Sequence, residues 1–264
     1  MPDVFKLESL INNNKFFYHL YVPQKKQSKG LCFFVHGLGD TYKSFDRIIN
    51  YLIKEDYSVL YYDLPGCGEN KTIEIEFEEN IDLINQIVEL NKKLFASTKI
   101  YFFAHSMGGL ILLLTLARYN MPDFFIKTLV VEPSLALPDL QFFKWIKEPP
   151  NGIGYEGLLA MIKNEPIGQY ASTYRNNLMN TNLQVFQQYV KKINEKFLSY
   201  QSEILGSNIN FVYIYGKDST GVEEREKLFT SSNIKVCGFE NSAHWVHIDA
   251  EKRFIDFIKD NVLI

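Results

Sequence analysis

Ser106 lies where a strand is predicted to turn directly into a helix, a position that can make its hydroxyl a nucleophile. Ile100–Ala104 is an apolar and aromatic run typical of a buried strand, and a helix that is apolar almost all round follows without a linker. Such a tight turn strains the backbone and needs small neighbours, which are present at Ala104, Gly108 and Gly109. The hydroxyl would then lie beside free helix N–H groups, which stabilise negative charge on a bound oxygen.

The pentapeptide AHSMG resembles the nucleophile elbow G-x-S-x-G of the α/β-hydrolase family, with Ala104 in place of the first glycine. The resemblance covers nearly the whole chain outside residues 139–205 and implies a Ser-His-acid triad that needs no metal or organic cofactor. Dehalogenases and epoxide hydrolases of the family use an aspartate as nucleophile, and Ser106 argues against both. For the pentapeptide alone, the alternative is a strand–helix junction that contains a serine by chance.

The motif HGLGD at residues 36–40 ends an earlier strand, and its glycines let the main chain approach a ligand closely. In the family, the N–H after His-Gly and the N–H after the nucleophile form the oxyanion hole. The resemblance therefore assigns these two donors to Leu38 and Met107. We expect His36 and His105 to brace the surrounding loops by hydrogen bonding rather than to move protons.

Two histidines in the segment NSAHWVH, which follows the last predicted strand, are candidates for the base. His244 with Trp245 resembles the family's terminal G-H-W/F signature, with Ala243 in place of glycine, so the resemblance implies that His244 is the base. His247 is the rival, but a lone histidine near a helix start is usually a surface or capping group. The same interpretation applies to His19 in the N-terminal hairpin.

Two carboxylates compete for the acid of the triad. In most relatives the acid follows the seventh strand as G-x-x-D; here Asp218 comes one residue early and Ser219 stands in its place. Glu132 ends the sixth strand, a position that some relatives use. A carboxylate that closes a buried strand needs a partner, and an imidazole N–H would serve. We favour Glu132 over Asp218, because triads are defined by geometry and role rather than by sequence position; a structural role for both carboxylates is the remaining possibility.

The pattern along the chain predicts an α/β fold, with a mainly parallel central sheet of about eight strands and helices on both faces. An N-terminal hairpin with its turn at residues 12–14 precedes alternating strands and helices. The predicted strands are Phe5–Leu10, Lys15–Val22, Leu31–Val35, Tyr57–Tyr62, Ile100–Ala104, Ile126–Val131, Asn210–Tyr215 and Ile234–Cys237. The predicted helices include Tyr42–Lys54, Phe77–Phe95, one from Val222 and a closing helix from Asp249.

Residues 139–205 interrupt this alternation with aromatic-rich helical segments that prolines and glycines break. We expect a hydrolase core at residues 1–138 and 206–264 and a helical cap or lid at residues 139–205. The alternative is an extra helical layer without a gating role.

The composition is that of an ordinary globular protein, with 264 residues, 46 % hydrophobic and 22 % charged. A net charge of −3 gives no reason to expect a nucleic-acid partner. The N-terminal sequence does not resemble a secretory signal, and no apolar run is long enough to span a bilayer. We therefore expect a soluble, cytoplasmic protein with no membrane span; the sequence leaves the oligomeric state open.

The three cysteines do not have the spacing of a zinc site or of a disulfide framework, so we expect them to be reduced. Cys32 and Cys237 fall in predicted strands and are interpreted as small core residues. Cys67, in the loop PGCG, is the candidate for a reactive thiol.

The favoured function is a serine hydrolase that cleaves an ester or related acyl bond of a hydrophobic acyl or aromatic small molecule. The pocket residues we expect in addition to the triad are His36, Gly37, His105 and Trp245. A carbon–carbon bond hydrolase or lyase, and a thioesterase or acyltransferase of a biosynthetic pathway, are alternatives that the sequence does not separate. A non-catalytic ligand-binding member of the fold is the alternative from another class.

Overall fold

Eight strands make up the sheet in the computed structural model, which describes residues 4–11, 14–24, 27–92, 99–119, 125–164, 170–230 and 234–263. They are β1 (Val4–Ile11), β2 (Asn14–Tyr21), β3 (Leu31–Val35), β4 (Ser58–Tyr61), β5 (Ile100–His105), β6 (Phe125–Val131), β7 (Val212–Gly216) and β8 (Lys235–Phe239). Their order across the sheet is β1-β2-β4-β3-β5-β6-β7-β8. Part of the predicted hairpin turn, residues 12 and 13, lies outside the described residues.

The sheet is parallel from β4 to β8, and β1 and β2 form an antiparallel edge. The carboxyl ends of β3, β5, β6 and β7 therefore meet along one edge, where parallel sheets commonly bind ligands. This is the α/β architecture that the alternating pattern predicts, and the prediction of a mainly parallel sheet of about eight strands is confirmed.

Ten α-helices occur in the described part of the chain. They are α1 (Asp46–Lys54), α2 (Glu79–Lys92), α3 (Ser106–Arg118), α4 (Leu137–Trp145), α5 (Gly154–Asn164), α6 (Ala171–Met179), α7 (Leu183–Leu205), α8 (Val222–Thr230), α9 (Val246–Asp249) and α10 (Glu251–Asn261). The predicted helix over residues 42–54 is a short 3₁₀ helix, Tyr42–Phe45, followed by α1. None of the helices in these ranges is long and apolar enough to cross a membrane.

Alternate residues of the central strands supply two hydrophobic cores, one on each face of the sheet. Phe33 and Phe102 belong to the core beneath α2, α3 and α7, with ring centroids 5.4 Å apart. Their neighbours Phe34 and Phe103 stack at 4.9 Å in the core beneath α1 and α10. Because both faces of the sheet are covered, the central strands are buried along their whole length.

Helices α4 to α7 occupy the connection between β6 and β7, where the described residues form no strand. The long helix α7 lies partly against the segment that begins α2. Its Tyr200 stacks on Phe77 at 5.6 Å, and its Tyr189 hydroxyl is 2.8 Å from the Asn80 amide nitrogen. The last helix of the insertion is therefore held to the start of α2.

Candidate active site

The junction between β5 and α3 places Ser106 on a sharply bent backbone. Ser106 has φ +53°, in the left-handed region that non-glycine residues rarely occupy. A Cβ atom at Gly108 would lie 2.2 Å from the His36 carbonyl oxygen, so only glycine fits there. The strand reaches His105, one residue beyond its predicted end, and the helix begins at Ser106. The elbow thus presses the start of α3 against the loop that follows β3.

That loop lies close to the serine. A Cβ atom at Gly37 would be 3.1 Å from the Ser106 Cβ, which shows how closely the two main chains approach. Leu38 borders the cavity at Ser106. The N–H of Met107 lies in the first turn of α3, whose N–H groups have no acceptor within the helix. The arrangement brings the two expected oxyanion donors to the same end of the sheet as the serine.

His36 is buried and holds this loop rather than bordering the cavity. Its Nε2 accepts the backbone N–H of Leu64 at 2.8 Å, so Nδ1 carries the proton and donates to the Gly37 carbonyl at 2.8 Å. The bracing role expected for His36 agrees with these bonds. Its expected place among the pocket residues is wrong, because it lies beneath the loop and not at the cavity.

His244 lies beside the carboxylate of Glu132. The distance from His244 Nδ1 to Glu132 Oε2 is 3.6 Å; the histidine side chain is one-third exposed, whereas the carboxylate is buried. His105, at the end of β5, donates from Nε2 to the His244 carbonyl oxygen at 2.9 Å, and the two rings are 4.5 Å apart. Burial above all, and then the charge of His244, holds the pKa of His105 well below its usual value, so this histidine is neutral.

The environment of Glu132 keeps its carboxylate charged. One oxygen, Oε1, accepts the backbone N–H of Gly216 at 2.9 Å; the other, Oε2, lies 3.6 Å from Arg225 Nη1. Burial raises the pKa of Glu132, but the neighbouring His244 imidazole and the charge of Arg225 outweigh it, so the pKa is lowered overall. Glu132 also has a left-handed backbone, with φ +47°. An ionised carboxylate in this position can stabilise an imidazolium on His244.

Arg225 is itself held by a second buried carboxylate, Asp139 of α4. Two guanidinium nitrogens contact the two Asp139 oxygens, at 2.6 and 3.2 Å. The pKa of Asp139 is raised by burial, which the charge of Arg225 opposes. The sequence analysis missed both residues. Arg225 lies in the charge-rich helix VEEREKLFT, whose pattern is typical of a solvated face.

Asp218, the other candidate acid, borders the same cavity but is exposed. Its backbone N–H donates to the Ser242 carbonyl at 3.0 Å. Within the described residues its carboxylate has no hydrogen bond or ion pair. The structure therefore brings both carboxylates to the cavity, but only Glu132 lies within ion-pair distance of His244.

The other two histidines that the sequence singled out lie away from the cavity. His247 is buried and its ring stacks on Phe45 at 4.6 Å, so its interpretation as a surface or capping group is wrong. Burial, with a smaller contribution from the charge of His244, lowers the pKa of His247 to about 3, which keeps it neutral. His19 pairs with Glu69 at 2.8 Å on the hairpin.

The cysteines also differ from expectation at one position. Cys67 is buried, and this burial, with the nearby charge of Asp63, raises its pKa to about 12. The expectation of a reactive thiol at Cys67 is therefore wrong, since the thiolate is scarce at neutral pH. Cys32 is buried in the core and Cys237 is partly buried against it.

Ser106, His244 and Glu132 meet at a cavity of about 260 Å³. The cavity is also bordered by three of the four expected pocket residues, Gly37, His105 and Trp245. Its wall opposite the sheet comes from the insertion, through the side chains of Phe142, Phe143, Leu158, Met161, Ile162 and Tyr174. The cavity thus combines an apolar wall with polar and charged side chains, which is the usual form of a small-molecule site.

Comparison with known proteins agrees with this architecture. Residues 26–151, just under half of the chain, match the family described as Serine aminopeptidase, S33. A putative esterase/lipase 2 of Mycoplasma genitalium is 29 % identical over 106 residues, which is 39 % of this chain and 38 % of that protein. The chain thus matches less than two-fifths of the length of this curated relative.

Two solved structures share the fold over almost the whole chain. MenH from S. aureus has a TM-score of 0.70 at 16 % identity, covering 92 % of this chain and 96 % of that one. A hydrolase from Pseudomonas aeruginosa has a TM-score of 0.72 at 15 % identity, covering 97 % of each chain. The chain therefore has the α/β-hydrolase fold.

Proposed function

We propose that this chain is a serine hydrolase that cleaves an ester or related acyl bond of a small hydrophobic substrate. The observation that carries the proposal is the meeting of three groups at one cavity: Ser106 on a strained turn, His244, and the buried, charged Glu132. Nucleophile, base and orienting acid in this arrangement are what acyl transfer requires. The esterase/lipase name of the curated relative supports the same reaction class.

The reaction would proceed through an acyl-enzyme. The Ser106 oxygen attacks the substrate carbonyl carbon while His244 takes the serine proton, and Glu132 stabilises the resulting imidazolium. The carbonyl oxygen becomes an oxyanion, which the N–H groups of Leu38 and Met107 bind. Each such donor contributes about 3–4 kcal/mol of transition-state stabilisation. The intermediate collapses as His244 returns the proton to the leaving alcohol.

Water completes the cycle through the same groups. It attacks the acyl carbon while His244 takes one of its protons, and collapse of the second intermediate releases the acid and returns that proton to Ser106. Assigning the acid to Glu132 is supported by its 3.6 Å approach to His244 and by its burial. Because His247 is buried and neutral, the proton transfer is assigned to His244.

The substrate class is argued from the cavity. Its volume of about 260 Å³ suits a short acyl group, and its insertion side is aromatic and aliphatic. Each methylene buried there contributes about 0.8 kcal/mol to binding. Since helices α4 to α6 supply this wall, we assign residues 139–205 the role of a cap over the site.

The proposal is tested by covalent labelling of the nucleophile and by an assay of ester hydrolysis. A fluorophosphonate probe is expected to modify Ser106, as shown by peptide mass spectrometry, and the wild-type chain is expected to hydrolyse p-nitrophenyl butyrate. Ser106→Ala should abolish both while leaving the circular dichroism spectrum unchanged. Labelling at another residue, or hydrolysis that persists in the variant, would remove the assignment. A folded wild-type chain that neither labels nor hydrolyses esters would favour the non-catalytic ligand-binding alternative.

A further inference from the structure

Helix α6 of the insertion is hydrogen-bonded to the loop that supplies the expected oxyanion donor. The hydroxyl of Tyr174 donates to the Leu38 carbonyl oxygen at 3.1 Å, and both residues are buried. The helix also packs closely on the loop: a Cβ atom at Gly39 would be 2.5 Å from the Leu178 side chain. Helix α6 therefore contacts the loop both through a hydrogen bond and through apolar packing.

Two peptide planes meet at Leu38, and each is held by a different partner. The plane that carries the Leu38 N–H also carries the Gly37 carbonyl, which accepts from His36 Nδ1 at 2.8 Å and from the Asp40 N–H at 3.3 Å. The next plane carries the Leu38 carbonyl, which accepts from Tyr174. The loop anchors the first plane by its own residues, whereas the insertion anchors the second.

Asp40 provides a second link between the loop and α6. Its Oδ1 accepts from the Tyr170 hydroxyl and from the Asn177 amide, each at 2.9 Å. The same oxygen accepts the N–H of Thr41 at 2.9 Å. Because two donors from the insertion share this acceptor, the loss of one leaves the other, and the link at Asp40 is less sensitive to a single substitution than the one at Leu38.

We propose that Tyr174 is a positioning residue for the oxyanion hole, so that α6 must be docked for the site to reach its full rate. The inference rests on the proposed function. Glycines on both sides of Leu38 give the loop many alternative conformations. A donor contributes fully only when it points at the oxyanion from 2.7–3.1 Å. Fixing the Leu38 carbonyl anchors the main chain on the C-terminal side of Leu38, so that the plane carrying the Leu38 N–H is held from both sides.

Tyr174→Phe isolates the hydroxyl, because the ring that packs on Trp245, 5.0 Å away, is kept. The matched control is Tyr155→Phe in α5. Tyr155 is equally buried and its hydroxyl donates to the Leu178 carbonyl at 2.7 Å; among the described residues it has no hydrogen bond to residues 36–41. Each variant loses one buried hydrogen bond: the bond of Tyr174 runs to the loop at Leu38, whereas the bond of Tyr155 stays within the insertion.

The expected result with p-nitrophenyl butyrate is a roughly tenfold fall in kcat for Tyr174→Phe with KM changed less than twofold, since the oxyanion exists only in the transition state. Tyr155→Phe should keep kcat within twofold of wild type, and both variants should lose similar thermal stability. Equal kcat values in the two variants, or a change confined to KM, would overturn the proposal.

Hydrogen exchange separates this inference from the proposed function. Amides of residues 36–41 should exchange faster in Tyr174→Phe than in Tyr155→Phe, whatever the reaction catalysed. If the wild-type chain shows no fluorophosphonate labelling and no esterase activity, the proposed function is refuted, and with it the catalytic role of Tyr174. If the wild-type chain is active but exchange in residues 36–41 is the same in both variants, the positioning role alone is refuted.

Discussion

The ends of β6 and β7 lie side by side in the sheet, yet they present carboxylates of very different character. Glu132 at the end of β6 is buried, hydrogen-bonded to Gly216 and close to both His244 and Arg225. Asp218 after β7 is exposed and, among the described residues, its carboxylate has no partner. Both border the same cavity. Fixed partners and burial, rather than position in a motif, therefore distinguish Glu132 from Asp218 as the proposed orienting acid.

The largest effect is expected at the end of β6. Glu132→Gln keeps the shape of the side chain but removes the charge that stabilises the imidazolium of His244. We expect kcat to fall by as much as ~10⁴-fold, the size seen for an analogous change in a well-studied triad. Steady-state kinetics with p-nitrophenyl butyrate measures this, and circular dichroism confirms folding. Near-normal turnover in a folded Glu132→Gln variant would show that Glu132 is not the orienting acid.

An intermediate effect is expected on stability, from Arg225, whose guanidinium lies beside Glu132 at the end of β6. Arg225→Met leaves Asp139 and Glu132 as two buried carboxylates without their shared cation, at a cost of about 3–5 kcal/mol in the free energy of unfolding. The matched control is Arg118→Met, which breaks a pair with Glu203 that is one-third exposed, for about 0–1 kcal/mol. Urea denaturation measures both free energies of unfolding. Equal losses in the two variants would contradict the expectation that the buried ion pairs contribute more to stability than the exposed pair.

The smallest effect is expected at the end of β7. Asp218→Asn changes an exposed carboxylate that makes no contact with His244, so kcat should stay within about twofold of wild type. The same ester assay checks this beside Glu132→Gln. A larger loss in Asp218→Asn than in Glu132→Gln would move the orienting role to Asp218, through a rearrangement of its loop on substrate binding.

Local patterns predicted the sheet and the elbow because their signals lie in adjacent residues. Alternating strands and helices, and the small residues around Ser106, are properties of short segments. Glu132 could be singled out because a charge that ends a buried strand needs a partner. His36 could be assigned a bracing role, but not its place beneath the loop.

Residues whose roles depend on distant contacts could not be predicted in this way. The pair of Arg225 and Asp139 joins two helices 86 residues apart, and the contact from Tyr174 to Leu38 spans 136 residues. Neither has a periodicity or motif of its own. Cys67 was misinterpreted for a related reason: its glycine-rich loop is typical of the surface, but helix α7 packs over it, with Val185 against Gly66.

The left-handed backbone at both Ser106 and Glu132 has a consequence for how the protein balances stability against activity. Each such residue costs of the order of 1–3 kcal/mol, and a folded domain is stable by only about 5–15 kcal/mol. The two strained conformations thus offset a sizeable part of the free energy of unfolding. Packing of the sheet on either side must compensate for this strain. Substitutions that relax either turn would make the chain harder to unfold and worse at its chemistry. For this reason selection for stability alone would remove the very geometry that brings the serine and the acid to the cavity.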